Sequence, residues 1–553
     1  MNHIIEQLHL LLPGKVFTDD TTLDKYKRDA SVFEMKPQAV VIPETTEELQ
    51  KLVIFVKEHK RHNPELSLSV RAAGTCMSGG SLTESILIVI EKFNKILKIT
   101  AEEAFVQPGV YYRDFEKEIA KYGLIYPPYP SSKRLCAMGG IAANNAGGEK
   151  SLQNGKAEDF VNELKVILND GKEYSFRKLT LSELEKKLDL HTFEGEIYRE
   201  SFRLFNKHYD IIHKSKPQVS KNSAGYNIWN VWDKRHFDLS KVFVGSQGTL
   251  GIITEINFKI VPKKKHRGML ICYLDNLNNL PEIVKTVLKY QPESFETFDN
   301  YTFKLALKYV TGFSNVLKIS SMETIKRFMH EYMYVLVKGI PKLVLLIEFE
   351  EDSLHDINGK IHTLADELVN YENLVLRITK TAEEREKYWV IRRESFNLLR
   401  KKISDKYAAP FIDDTCVRPE VFPQFLPELY RIFEKYQLQA TIAGHIGNGN
   451  FHIIPLMDFS DPKEKEKLYR VAKEVFDLTS KLGGSLTGEH NDGLIRTPFL
   501  KYMFRPEIMR LFKDLKHIFD PLNIFNPHKK IDLTEEFAFR RVIKQNHLQE
   551  QAA

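Results

Sequence analysis

The residues best suited to chemistry fall in one short stretch, Ala443-Gly444-His445-Ile446-Gly447-Asn448-Gly449-Asn450-Phe451-His452-Ile453-Ile454. Asn-Gly is the strongest short hairpin signal, because a type I′ turn needs positive φ at both central residues. With Asn448 and Gly449 at the tip, Ile446 faces Phe451 and His445 faces His452. Directly opposed side chains share a face, with Cβ atoms about 4.5–5.5 Å apart. Two imidazoles at that separation can share one divalent ion. Two ordinary surface histidines beside a tight turn would read the same way. Further on stands Thr487-Gly488-Glu489-His490-Asn491-Asp492-Gly493. The Glu489 carboxylate would complete a two-His, one-carboxylate site with positions open to substrate. The adjacent His490 is placed to act as a base.

Three glycine-rich segments carry a second kind of chemistry. The first is Arg71-Ala72-Ala73-Gly74-Thr75-Cys76-Met77-Ser78-Gly79-Gly80-Ser81. Glycine permits positive φ and close approach, so such a loop lets backbone N–H groups converge on a phosphate. It is not a Walker A loop, which needs Gly-Lys before the serine, and it leads into a strand rather than the helix a Rossmann fingerprint requires. A long tight turn is the plainer reading. The second is Cys136-Ala137-Met138-Gly139-Gly140-Ile141-Ala142-Ala143-Asn144-Asn145-Ala146-Gly147-Gly148, whose small side chains suit backbone laid against a flat ligand or, more simply, a close helix contact. The third, Gly245-Ser246-Gln247-Gly248-Thr249-Leu250-Gly251-Ile252-Ile253-Thr254-Glu255, passes alone for a turn and a strand.

Ordinary elements must hold these groups. Gln38–Ile42 reads as a short strand, and Thr45 with Glu48 as a capping box. Behind it Leu49, Leu52, Val53 and Val56 have the spacing of a buried helix face. Leu66, Leu68 and Val70 alternate as a strand does, and Ile86–Ile90 is a continuously apolar one. Glu383–Lys402 has a helical pattern, within a glycine-poor section at about 265–440. The expectation is a cofactor domain at 1–262, a second α+β domain at 263–500, a return segment at 501–535 and a polar tail at 536–553.

Composition narrows the class. At 553 residues the chain needs several cores. Its 80 basic and 74 acidic residues leave a net charge of +6, nearly balanced over this length, and lysine runs such as Lys263-Lys264-Lys265 are short. Neither feature points to nucleic acid. The cysteines Cys76, Cys136, Cys272 and Cys416 stand far apart, which argues against an internal iron–sulfur cluster and fits a reducing compartment. No run of about 18 apolar residues and no cleavable leader is present. The expected location is cytoplasmic, or peripheral at a membrane through a partner.

Together the glycine segments resemble, in order and spacing, the FAD-binding domain of the vanillyl-alcohol oxidase superfamily. Pro37-Gln38-Ala39-Val40-Val41-Ile42-Pro43, Gln107-Pro108-Gly109 and Pro130-Ser131-Ser132 agree. The resemblance implies FAD, with the first loop on the pyrophosphate. Its contacts would come from Arg71, Ala73, Gly74, Thr75, Cys76, Ser78, Gly79, Gly80, Pro130, Ser131, Met138, Gly139, Gly140, Ala143, Asn144, Asn145, Gly147, Gly148, Gly248, Thr249, Gly251 and Ile252. Thr75 stands where some members bond the flavin through a histidine, which implies non-covalent FAD.

His-x-Gly-x-Gly-Asn-x-His followed by Gly-Glu-His resembles the C-terminal domain of the FAD-linked D-2-hydroxy-acid dehydrogenases, the D-lactate, glycolate and D-2-hydroxyglutarate type. That resemblance implies a divalent metal (zinc, manganese or iron) on His445, His452 and Glu489, with His490 as base and Asn450 near the substrate. Tyr388-Trp389-Val390-Ile391-Arg392-Arg393-Glu394 is similar to the family's Trp-x-x-Arg segment, and Arg392 matches the arginine that binds the substrate carboxylate. Phe519–Pro527 resembles the family's return to the flavin domain, with Asn526 a flavin-contact candidate. This chain departs from the family at Asn448, commonly Asp, and at Asn491 and His528, commonly Gly.

The implied reaction passes hydride from C2 of a small 2-hydroxy acid to flavin N5. Electrons then go to a separate acceptor: a quinone, a cytochrome, an electron-transferring flavoprotein or an iron–sulfur subunit. Two other readings remain open. One is a non-redox flavoenzyme resembling alkylglycerone-phosphate synthase, and the other a non-catalytic flavin subunit of an electron-transfer complex.

Overall fold

The computed structural model describes residues 2–402 and 406–543, with the side chains of 2 and 395–402 excepted. The part of the expected tail from 544 onward lies outside the described residues.

A small sheet carries the first glycine loop. Its strands run in the order Val16–Phe17, Ala39–Val41, Ile86–Val89, Leu68–Arg71. Leu68–Arg71 and Ile86–Val89 pair in parallel, Leu68 against Ile86. A parallel pair cannot be closed by a tight turn and needs a long crossover. Here residues 72–85 make that crossover without a regular helix, so their backbone stays free to line a cleft. The predicted capping box is present: Thr45 accepts from Glu48 N–H and starts the helix Thr46–Lys60, which buries Leu49, Leu52, Val53 and Val56.

A second sheet of six antiparallel strands packs beside it, in the order His236–Asp238, Glu173–Thr180, Val161–Ile167, Ile252–Lys259, Glu103–Val106, Ile96–Ile99. The second glycine segment differs in part from an extended ligand-facing stretch. Met138–Asn144 is a short helix, ended by Asn145 at φ +53°.

From His266 onward the chain builds an antiparallel sheet around His266–Leu274, Leu343–Glu351, Ser294–Asp299, Ala440–His445 and Asn450–Met457. Its central strands are apolar on both faces because both are covered. Leu270, Cys272 and Leu274 face one core, and Met269, Ile271 and Tyr273 face the other. The helix Ala382–Lys402 lies over the second face. The chain is therefore α+β, as the sequence predicts.

The return is built by the helix Pro506–Phe519, which buries Ile508, Leu511, Phe512, Leu515 and Phe519 against the core of the six-stranded sheet. Beyond it, Leu68 N–H donates to Ile524 C=O and Asn526 N–H to Leu68 C=O, both at 2.7 Å. The segment thus adds to the edge of the small sheet beside the first glycine loop.

Candidate active site

The histidine hairpin forms, in a different register. Ile446–Asn448 is a turn of 3₁₀-helix followed by Gly449 at φ +65°, so the loop has four residues rather than two. His445 pairs with Asn450, and His452 pairs with Ala443. The shift is by two, and side chains alternate with a period of two, so both imidazoles keep the same face. Their ring centroids lie 5.0 Å apart.

Three imidazoles turn toward one oxygen. Glu489 Oε1 lies 3.1 Å from His445 Nε2, 3.5 Å from His452 Nε2 and 3.9 Å from His490 Nε2. Each ring is steadied from behind by a carboxylate. His445 Nδ1 is 2.6 Å from Glu296 Oε1 and His452 Nδ1 3.1 Å from Asp413 Oδ1. His490 Nδ1 is 2.7 Å from Asp413 Oδ2, an ion-pair distance without hydrogen-bond alignment. Carboxylates behind imidazoles whose other nitrogens converge are the supporting arrangement of a metal site.

The donor set fits a divalent cation. One oxygen or nitrogen from each of Asp414, His452, Glu489 and His490 lies within 4.8 Å of the rest, a group that differs from the expected ligand set by taking in His490 and Asp414 and leaving His445 beside it. Asp414 is the weakest of these as a ligand, being already taken: it accepts from Asn450 Nδ2, Thr487 Oγ1 and the N–H groups of Glu489 and His490. It shapes the Thr487–His490 turn instead. Glu489 Oε2 meets the buried Lys221 ammonium at 2.8 Å. Burial opposes charge on Glu489, but Lys221 and His445 outweigh it and hold the carboxyl well below its usual range. Burial likewise opposes charge on His452, and Asp413 with Glu489 still push its pKa up to about 10.

Arg392 joins through Glu296, its Nε at 3.1 Å and its terminal nitrogen at 3.0 Å from Glu296 Oε2. Arg393 turns to Glu149. The Asn450 amide is fully buried on Asp414 and the Thr415 carbonyl, and its Oδ1 has no hydrogen-bond partner among the described residues.

A cleft of about 1210 Å³, its mouth included, runs between the glycine segments. Of the residues singled out from the sequence, Ala73, Gly74, Thr75, Cys76, Gly80, Pro130, Ser131, Gly139, Gly140, Ala143, Asn144, Gly147, Gly248 and Gly251 line it. So do Glu489 and His490. A side-chain carbon added at Gly140 would meet nothing nearer than 4.0 Å, and one at Gly248 nothing within 4 Å. Both present bare backbone to the space, as a cradle for a flat ligand requires. Gly140→Val is therefore expected to give a folded but colourless protein, read by the absorbance of the purified chain. Full flavin content would show that this wall does not face the cofactor.

The other candidates stand behind the lining. Arg71 folds under the loop onto the Arg28 and Tyr26 carbonyls, beneath Gly74. Ser78 holds Gln247, Gly79 packs against Phe33 and Leu494, and Gly148 abuts the Tyr129 carbonyl. Met138 and Ile252 are core residues. Asn145 accepts from Glu158 N–H, and Thr249 pairs with the Tyr226 hydroxyl. Asn526 Nδ2 donates to the carbonyls of Gly80 at 2.7 Å and Gln247 at 2.6 Å, tying two loops together. Asn526→Ala would leave both carbonyls buried and unpaired, at about 1–3 kcal/mol. The expected result is FAD affinity weakened on the order of tenfold in a fluorescence titration of the stripped protein; unchanged affinity would deny the tie.

Several residues here carried no signal of their own. Gln247 reaches Asn144, Ser78 and Gly493 N–H and so joins all three glycine segments to the His490 turn. Lys221, Glu296, Asp413 and Asp414 were missed too. Only the Asp413-Asp414 pair, directly after the apolar Phe411-Ile412, offered a clue, since acids are rarely buried unless paired.

The fold resembles that of solved flavin oxidases, p-cresol methylhydroxylase among them, which superposes with a TM-score of 0.66 at 15% identity over 96% of this chain and 97% of that one. Among solved structures, 4-ethylphenol oxidase from Gulosibacter chungangensis superposes with a TM-score of 0.68 at 15% identity, over 97% of this chain and 98% of that one. An alkyldihydroxyacetonephosphate synthase gives 0.65 at 15%, over 96% and 85%. Residues 37–177 match the FAD binding domain, and 263–530 match the FAD linked oxidases, C-terminal domain. Both matched regions are thus those of FAD-linked oxidases, and the relatives at about 25% identity over most of the chain are named as 2-hydroxy-acid dehydrogenases and oxidases. The chain is 25% identical to a D-2-hydroxyglutarate dehydrogenase of Pseudomonas putida over 93% of this chain and 50% of that protein. It is 27% identical to the glycolate oxidase subunit GlcD of Bacillus subtilis over 95% and 96%. The chain thus spans about half the length of the D-2-hydroxyglutarate dehydrogenases it matches, and nearly all of the glycolate oxidase subunit.

Proposed function

We propose that the chain oxidises a small D-2-hydroxy acid to the 2-oxo acid, with non-covalent FAD and a divalent metal. One observation carries this reading: Glu489 and His490 line the same cleft as the glycine loops. A group able to take a hydroxyl proton therefore shares its space with the flavin-binding backbone. The relatives named D-2-hydroxyglutarate dehydrogenase and glycolate oxidase subunit support the same class.

When bound, FAD supplies the hydride acceptor and the metal a Lewis acid that lowers the hydroxyl pKa. The protein does the rest. Arg392 would hold the substrate carboxylate with the guanidinium edge that Glu296 leaves free. His490 takes the hydroxyl proton at Nε2, while Asp413 behind Nδ1 fixes the ring. Asp413 serves His452 in the same way, so one carboxylate sets two imidazoles. Electrons leave to a separate acceptor.

Mixing the FAD-loaded protein anaerobically with a panel of D- and L-2-hydroxy acids tests the reading. At least one D-acid is expected to bleach the flavin absorbance, and its L-enantiomer to leave it unchanged. Failure of every acid would sink the proposal and favour a non-catalytic flavin subunit.

A further inference from the structure

Residues 220–223 form neither helix nor strand, yet each of them is held. On one side Ser220 donates to the Asn448 carbonyl, at the tip of the histidine hairpin. On the other, Ser223 N–H donates to the Thr487 carbonyl and the Ser223 hydroxyl to the Gly488 carbonyl, both in the turn that carries Glu489. Lys156 braces the pair, donating to the carbonyls of Asn222 and Gly488. Lys221 stands between these anchors, its side chain 1% exposed. Its ammonium lies 2.8 Å from Glu489 Oε2 and 3.5 Å from the Gly148 carbonyl, and among the described residues it has no other hydrogen-bond partner.

The arrangement divides the Glu489 carboxylate. Oε1 faces three imidazole Nε2 atoms, and Oε2 faces Lys221. Backbone closes the same side, since a side-chain carbon at Gly147 would lie 3.0 Å from Oε2. Carboxylates hold cations through one oxygen or through two. Here Oε2 could turn to an ion only by leaving Lys221, and that would strand a buried ammonium. A carboxylate held to one oxygen leaves a coordination position that a substrate can take.

The ammonium also has an effect on affinity. Glu489 is 6% exposed, and a buried carboxylate without a partner is costly. Lys221 supplies the positive charge whether or not an ion is bound. The same charge repels a cation, so it keeps an ion from binding as tightly as the ligands alone would allow. We infer that Lys221 is a positioning residue of this site, which confines Glu489 to one metal-facing oxygen and replaces the ion as its counter-charge when none is bound.

That role presupposes the divalent metal proposed above, so its test reads metal binding first in the wild type. The FAD-loaded chain, stripped by a chelator, is titrated with zinc against a competing indicator, and Lys221→Gln and Lys221→Arg are treated alike. Lys221→Gln keeps a hydrogen-bond donor for Oε2 and removes the charge. It is expected to bind zinc more tightly by on the order of tenfold. When stripped it should melt below the wild type, and zinc should raise its melting temperature by more. Structural damage alone would weaken zinc instead. With zinc bound it should reduce its flavin more slowly, because Oε2 is free to take the position that substrate needs. Lys221→Arg keeps the charge and should stay close to the wild-type zinc affinity. Zinc binding unchanged or weakened in Lys221→Gln would overturn the role of Lys221 and leave the metal standing. So would equal tightening in Lys221→Arg, or a Lys221→Gln protein that fails to fold with zinc present, since the ion should replace the lost charge. Wild type that binds no zinc would remove the metal and this role together.

Discussion

Replacing His490 by alanine is expected to leave FAD bound and to slow flavin reduction by the responding 2-hydroxy acid by about 10²–10⁴-fold, the usual worth of a positioned base. His490 lines the cleft, and its ring is defined on both sides. Asp413 stands at Nδ1, and His452 stacks on the ring at 5.1 Å with 21° between planes. Burial lowers the pKa of this imidazole, but Asp413 and Asp414 outweigh it and raise the pKa above the ordinary value. The measurement is stopped-flow bleaching of the flavin under anaerobic conditions, with flavin content checked first. Asp413→Asn keeps the imidazole and removes the charge that both orients it and raises its pKa. Loss of supporting contacts of this kind costs about 10–100-fold, so it should fall between wild type and His490→Ala. Wild-type reduction in His490→Ala would refute the base assignment.

The comparison of sequence with structure has a physical pattern. What was legible came from local rules. Glycines between strands marked the crossover loop, and an i, i+3, i+4, i+7 pattern marked the helix Thr46–Lys60. The pairing of His445 with His452 survived a wrong register only because the slip was even. The turn itself escaped local rules because its tip is buried. A side-chain carbon at Gly449 would lie 1.8 Å from the Val417 carbonyl, and Val417 N–H donates to Gly449 C=O. Ser220 holds the Asn448 carbonyl. Tertiary contacts therefore chose a four-residue loop over the type I′ turn that Asn-Gly favours in isolation. The carboxylates behind the histidines were illegible for a related reason. Glu296 and Asp413 come from elements separate from the hairpin and from each other, so no spacing along the chain records their meeting. Lys221 arrives from a fourth. Arg71 and Asn526 show the converse: both belong to the matched blocks, yet they support loops rather than line the cleft.

Histidine 445 separates a metal centre from a cluster of hydrogen-bonded histidines. In the second case Glu489 is simply the shared counter-charge of Lys221 and the imidazoles, and the protein binds no stoichiometric ion. In the first, purified wild type is expected to carry about one divalent ion per chain by elemental analysis, and His445→Ala to carry none while keeping its FAD. The geometry favours the first outcome. Three Nε2 atoms converge on Glu489 Oε1 at 3.1, 3.5 and 3.9 Å, so an ion seated among them would find several donors within reach. Losing a true ligand should cost more affinity than the about 10–100-fold that loss of a supporting contact does. Excess metal should then fail to restore turnover in His445→Ala. In wild type stripped by a chelator, the flavin spectrum should persist while reduction slows, and the ion that restores it (zinc, manganese or iron) identifies the native metal. Unchanged metal content in His445→Ala would remove the hairpin site. Stripped wild type that still reduces its flavin at full rate would remove the metal from the reaction and leave His490 and Arg392 to account for the chemistry.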